Sequence, residues 1–292
     1  MSNPDGRGQR ERGLARLSSG VLVTNVVAAV ALLGTTVLTA RAFGPQGRGE
    51  LSLATQFVTL VATLGSLGLT AAAAYHSARA KWSKPVAFGS STVLGLLLGL
   101  LILAGCYLVI LVGDVSFRGL SATDLALVSL ALPFLLAVAT IQSVYQGFRN
   151  FRAFNRITLA QAALPLLLIG LAIAVGGGVR AAIVATVAAA ALLFVAVLIG
   201  VLRSTGIVWR TKLADLRALA SFGLRVHPAN VLGYLGYRLD VSSSTATRAL
   251  RPWGSTVPAS SSPRASGCRR RPSAPRSFRP SPRRRVRPRG SR

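Results

Sequence analysis

The sequence predicts an all-α fold, a polytopic transmembrane helix bundle of six spans plus a truncated seventh. Three observations carry that prediction. Hydrophobic residues make up 51% of the 292 and charged residues only 14%, against about 25% charged in a soluble globular chain. Apolar runs of membrane-spanning length recur six times before Arg203. The formal net charge of +27 is segregated from that apolar body: residues 241–292 hold 14 Arg, 8 Pro and 12 Ser with no acid, while all 7 acidic residues precede them. The mean hydropathy of +0.53 therefore understates the body and overstates the tail.

A membrane helix needs about 20 predominantly apolar residues to cross the hydrocarbon core. The first run, 20–40, follows a basic N-terminus and stops at Arg41. The second, 51–74, starts after Glu50 and ends before Arg79 and Lys81. The third, 86–112, lies between Lys84-Pro85 and Asp114, and the fourth, 125–145, between Asp124 and Arg149. The fifth, 157–175, runs from Arg156 to Gly176-Gly177-Gly178, and the sixth, 181–202, from Arg180 to Arg203. The seventh, 219–240, is apolar but carries Arg225, His227, Arg238 and Asp240. The expected organisation is a cytoplasmic basic N-terminus (1–19), a six-helix lobe (20–218), the start of a seventh helix (219–240) and a disordered Arg/Pro/Ser tail (241–292), whose composition cannot bury a core.

Lys and Arg in short loops favour the cytoplasmic side. The N-terminus and the second, fourth and sixth loops hold fourteen of them, the intervening loops four (Arg41, Arg48, Arg118 and Arg180). This alternation predicts a multi-pass protein of a bacterial cytoplasmic (inner) membrane with its N-terminus in the cytoplasm. Ala40-Arg41-Ala42 has the look of a cleavage site, but the apolar run before it is about twice the length of a signal-peptide core. The expectation is an uncleaved first helix.

Most enzyme classes lack their residues. Two histidines, His76 and His227, and two cysteines, Cys106 and Cys268, show no metal-ligand spacing. The acids are scattered singly, so no carboxylate pair or nucleophile–base set falls on one face. No phosphate-binding loop of the Walker type is present. The chain is expected to be no enzyme, with no metal and no cofactor, and Cys106 to be a small buried hydrophobe. Transport, scaffolding or sensing remains.

Polar groups inside spans are costly and tend to face a bundle interior or an aqueous cavity. The candidates are Asn25, Gln56, Gln142, Gln161, Arg225, Asn230, Arg238 and Asp240. For each Asn or Gln the alternative is a hydrogen bond between helices. Arg225 and Arg238 would attract an anionic head group; Arg238 could equally pair with Asp240.

The stretch Arg41-Ala42-Phe43-Gly44-Pro45-Gln46-Gly47-Arg48-Gly49-Glu50-Leu51 joins the first two spans. It resembles the loop of bacterial polysaccharide (oligosaccharide) flippases, a family of the multidrug/oligosaccharidyl-lipid/polysaccharide exporter superfamily. Its marks here are Arg41, Gly44, Pro45 and Gly49; Arg48 stands where the family usually has an aromatic or small residue. The segment from Gln146 to Asn155 resembles the family's loop before helix five, and that from Phe222 to Asp240 its seventh helix, so the resemblance spans about residues 14–240. It implies two six-helix lobes around a central cavity, of which this chain carries the N-terminal lobe. It also implies transfer of an undecaprenyl-diphosphate-linked glycan between leaflets by alternating access, with membrane lipid and polysaccharide-assembly glycosyltransferases as partners. Alternatives are a drug/cation antiporter of the same superfamily, which would want a carboxylate within the first six spans, and a non-transporting scaffold of polysaccharide assembly.

The tail departs from that pattern. Asn25 and Asn230 suggest a repeat offset of 205, which would place a second loop motif at 246–254, where Ala246, Ala249 and Leu250 stand instead. Reading the tail codons one base early turns Ser242, Ser243 and Ser244 into apolar residues and permits Arg at 246 and Gly-Pro at 249–250. The tail is therefore expected to be out of frame. An arginine-rich tail read as real would bind anionic lipid. With only Trp253 and Phe278 for stacking it offers no nucleic-acid surface.

Overall fold

The structure is a computed structural model and describes residues 5–79, 82–113, 120–205 and 211–249, with side chains over 20–79, 82–112, 120–205 and 211–233. The described residues form eight helices: α1 (Asp5–Gly65), α2 (Leu69–Ala78), α3 (Lys84–Gly113), α4 (Ala122–Ser129), α5 (Leu132–Gly147), α6 (Phe151–Ala174), α7 (Val179–Thr205) and α8 (Leu213–Ala249). The all-α membrane bundle is as expected. Five helical stretches are long and apolar enough to cross a membrane, Gly20–Gly65, Lys84–Val112, Ala122–Gly147, Phe151–Ala174 and Val179–Thr205.

The first of these contains two spans, because α1 reverses at Gly44. On its first limb Gly20 meets Asn155, Gly34 meets Leu166 and Leu38 meets Gly170, so the limb ascends beside α6. Beyond the break Gly47 touches Val179, and Thr55 and then Thr59 share cavities with Gln161, further down α6. Gly44 has φ 67 and ψ −174, a conformation that essentially only glycine adopts. Pro45 then starts the second limb where a missing N–H costs nothing. The Gly44-Pro45 pair is thus the turn itself, and residues 45–65, at about 1.5 Å each, cover the roughly 30 Å of the hydrocarbon core.

Four boundaries differ from the sequence expectation. The predicted run 51–74 breaks at Ser66–Gly68, where Leu67 (φ 46) and Gly68 (φ 71) turn left-handed, and α2 continues as a separate helix. The predicted fourth run divides into α4 and α5, because Pro133 cannot donate to the Ser129 carbonyl; Leu130 and Ala131 bond three residues back instead. Asn150 caps α6 by accepting from the Ala153 N–H, so this helix begins six residues before the predicted 157. The backbone of α8 is helical through Ala249, beyond the predicted end of the seventh segment at Asp240.

The alternation of loops is visible in space. Gly47 lies against Val179, and Asp124 pairs with Arg180 at 2.9 Å, so the loops holding Arg41, Arg48 and Arg180 meet at one end. At the other, Gly147 abuts Ser77, and Gly89 approaches Thr211. That second end carries Lys84, Arg149, Arg152, Arg156, Arg203 and Lys212 and is called the basic end below.

α3 and α5 pack closely. Gly95 and Gly99, one turn apart on α3, lie against Ala137, Thr140 and Pro133. The Thr140 hydroxyl crosses to the Ser91 carbonyl at 3.0 Å. Two buried clusters fill the bundle: Leu51, Leu125, Leu132 and Ile183 near the Gly44 end, and Phe88, Ile141, Phe194 and Val197 near the basic end. Cys106 is half-buried at the edge of the first. Large apolar side chains such as Leu101 (69%) and Leu111 (80%) face outward, which in a membrane is contact with lipid rather than exposure to water.

Candidate functional site

The second limb of α1 carries a stripe of hydroxyls at Thr55, Thr59, Thr63, Ser66 and, past the break, Thr70. Spacings of three and four residues put the first four on one face. Each of those four donates to its own helix: Thr55 to the Leu51 carbonyl (3.0 Å), Thr59 to Thr55 (2.8 Å), Thr63 to Thr59 (2.7 Å) and Ser66 to Thr63 (2.9 Å). Their donor demand is met without another helix, and the hydroxyl oxygens remain to accept from a guest.

Thr59, Thr63, Ser66 and Thr70 of that stripe form one wall of a cavity of about 460 Å³. Leu135, Ala139 and Thr140 of α5 form a second wall, Gln161 of α6 a third and Asn230 of α8 a fourth. Among the described residues no charged side chain lines it. Gln161 also lines a neighbouring cavity of about 200 Å³ with Thr55, Pro165 and Thr186, and so stands between the two. Pro165, inside α6, has no N–H to give to the Gln161 carbonyl, which leaves that oxygen without its helical donor beside the side-chain amide. Pro228, inside α8, does the same for Leu224, two residues before Asn230. Two prolines thus loosen the helices where they meet the cavity. The chemistry presented is neutral: amide and hydroxyl groups on an apolar frame, suited to sugar hydroxyls rather than to a bare cation.

α8 is held to the rest at the basic end. Phe222 stacks on Tyr75 at 4.3 Å, His76 stacks on Trp82 at 4.7 Å, and the Arg79 guanidinium lies 4.5 Å from the Tyr75 ring centre. The residue after Phe222, Gly223, crosses the Leu67-Gly68 turn: a side-chain carbon on Gly68 would come within 2.4 Å of the Gly223 carbonyl oxygen. This near-contact of backbones brings α8 close enough for Asn230 to complete the cavity.

Of the sequence candidates, Gln161 and Asn230 come together. Gln142 instead donates to the Thr158 hydroxyl at 2.8 Å, a bond between α5 and α6. Asn25, Gln56 and Arg225 are exposed on their helices and do not line the cavity. Arg238 and Asp240 fall on the backbone of α8, but their side chains lie outside the described residues. Among the loop residues, Gly44 and Pro45 make the turn, and Arg41 and Gly49 are exposed. The hydroxyl stripe was missed by considering only amides and charges; its signal was threonine at 55, 59 and 63 within an apolar run.

Among the described residues no group of three or more His, Cys, Asp or Glu converges on a metal-sized site. The family model described as "Polysaccharide biosynthesis protein" matches residues 12–241. No curated protein and no solved structure matches the chain.

Proposed function

The chain belongs to the polysaccharide biosynthesis protein family, and on that premise we propose that it forms the N-terminal lobe of a flippase for lipid-linked oligosaccharide or polysaccharide precursors. The observation that carries this reading is the neutral polar cavity between the hydroxyl stripe of α1, Gln161 and Asn230. A glycan head group crossing a bilayer must exchange hydrogen bonds with water for hydrogen bonds with protein, since unpaired polar groups in hydrocarbon are costly. Amides that donate and accept, beside hydroxyl and carbonyl oxygens that accept, offer that exchange. The six apolar runs before Arg203 contain no carboxylate, which disfavours cation antiport. The reading makes the protein a transporter of a bacterial cytoplasmic membrane, with its N-terminus and basic end on the cytoplasmic side, and no enzyme.

The test is transfer of a labelled undecaprenyl-diphosphate-linked sugar between leaflets of proteoliposomes. Gln161→Leu and Asn230→Leu each remove hydrogen bonds worth about 1–3 kcal/mol when left unmade, so transfer is expected to fall about five- to a hundredfold. Asn25→Leu, outside the cavity, is expected to leave it unchanged. Unimpaired transfer in both cavity variants would overturn the assignment of this wall. Co-purification with glycosyltransferases in the absence of any transfer would favour the scaffold.

A further inference from the structure

A third cavity, of about 590 Å³, lies at the basic end of the bundle and shares no lining residue with the Gln161–Asn230 cavity. It opens where α3 and α6 begin and where α5 and α7 end: Lys84, Asn150, Phe148 and Thr205 all line it. Among the described residues Lys84 and Arg156 are the cations that line it, both exposed, and no carboxylate does. Further in, the lining changes character to Ile157, Leu193 and Val197. Tyr145, near the end of α5, spans the two regions and shares the wall with Ser204, near the end of α7. The starts of α3 and α6 both contribute to the wall, and helix N-termini add positive potential to that of the side chains.

A cavity with two uncompensated cations at its open end and an aliphatic interior matches a molecule with a phosphate head and hydrocarbon behind it. We propose that this cavity binds an anionic glycerophospholipid, its phosphate between Lys84 and Arg156 and the start of one acyl chain against Ile157, Leu193 and Val197. The lipid then fills the space between α3, α5, α6 and α7. The proposal depends on the chain being membrane-embedded and not on which substrate the Gln161–Asn230 cavity carries.

The test is native mass spectrometry of the full chain released from nanodiscs of equal phosphatidylglycerol and phosphatidylcholine. Selective retention of phosphatidylglycerol is expected. Lys84→Gln and Arg156→Gln are each expected to lower it about fivefold, the effect of one cation near an anionic lipid surface. Both residues are exposed, so an unchanged size-exclusion profile is expected. Lys84→Arg should retain the lipid, and Arg180→Gln, at the other end of the bundle, should have no effect. Equal retention of the two lipids, or unchanged retention in the double Lys84→Gln/Arg156→Gln variant, would overturn the proposal. So would displacement of the lipid by millimolar inorganic phosphate, which would mark a site for free phosphate.

Discussion

Gly99→Val is expected to cost the bundle about 3 kcal/mol or more, the upper range for overfilling a packed interface. Even one added carbon at Gly99 would sit 2.4 Å from the Pro133 Cα, and one at Gly95 would sit 3.0 Å from the Ala137 Cα. These contacts are with backbone, which cannot rotate away, and membrane helices depend on such small-residue faces because lipid offers no hydrophobic drive to associate. The Thr140–Ser91 hydrogen bond would part with them. In detergent the variant should show a lower melting temperature and loss of the monodisperse size-exclusion peak. Gly105→Val, on the same helix with nothing within 4 Å of its added carbon, should behave as wild type. Equal stability of the two variants would contradict the α3–α5 packing.

The second large effect is at the crossing of α8 with the Leu67-Gly68 turn. Gly68→Val places a β-branched side chain at φ 71, where left-handed backbone costs about 1–2 kcal/mol for an ordinary residue, and drives its Cβ into the Gly223 carbonyl. Gly223→Val makes the reciprocal clash with the Leu67 carbonyl. The six spans before α8 pack without this crossing, so the expected outcome is selective. Stability should fall modestly, while α8 moves away, Asn230 leaves the cavity and transfer drops at least tenfold. Gly233→Ala, with nothing within 4 Å, is the matched control. Trypsin accessibility of Arg225, raised in the Gly68 and Gly223 variants alone, would report the displacement.

The sequence carried the fold far because hydrocarbon imposes a single rule, a long apolar run closed by charge, Gly or Pro. That rule located the helical stretches long and apolar enough to cross a membrane, and it left Gly44-Pro45 in the joint between the first two runs. It was blind to breaks inside an apolar run. Leu67 adopts a left-handed backbone with no polar neighbour to announce it, although Gly65-Ser66-Leu67-Gly68 held the signal in its glycines. Pro133 divided α4 from α5 for a backbone reason that hydropathy does not register. The site was legible in part. Gln161 and Asn230 stood out as amides in apolar runs, but that the two meet follows from the close approach of Gly68 and Gly223, a pairing of residues more than 150 positions apart. The same criterion selected Gln142, which bonds to Thr158, because a side chain's partner is not written in its own sequence neighbourhood. The threonine stripe was passed over because threonine in a helix satisfies itself, and only the facing walls reveal that it borders open space.

A glycan head group received by the Gln161–Asn230 cavity would be within reach of position-specific photocrosslinkers in its walls. A photoreactive residue would be placed at 63, 161 or 230, and, for comparison, at the lipid-facing Leu101 and Leu167. Each protein would be irradiated in proteoliposomes with a radiolabelled undecaprenyl-diphosphate-linked sugar. Sugar adducts are expected at 63, 161 and 230, competed by unlabelled substrate, with background at 101 and 167. Equal labelling at all five positions, or labelling confined to the lipid-facing pair, would contradict that reading.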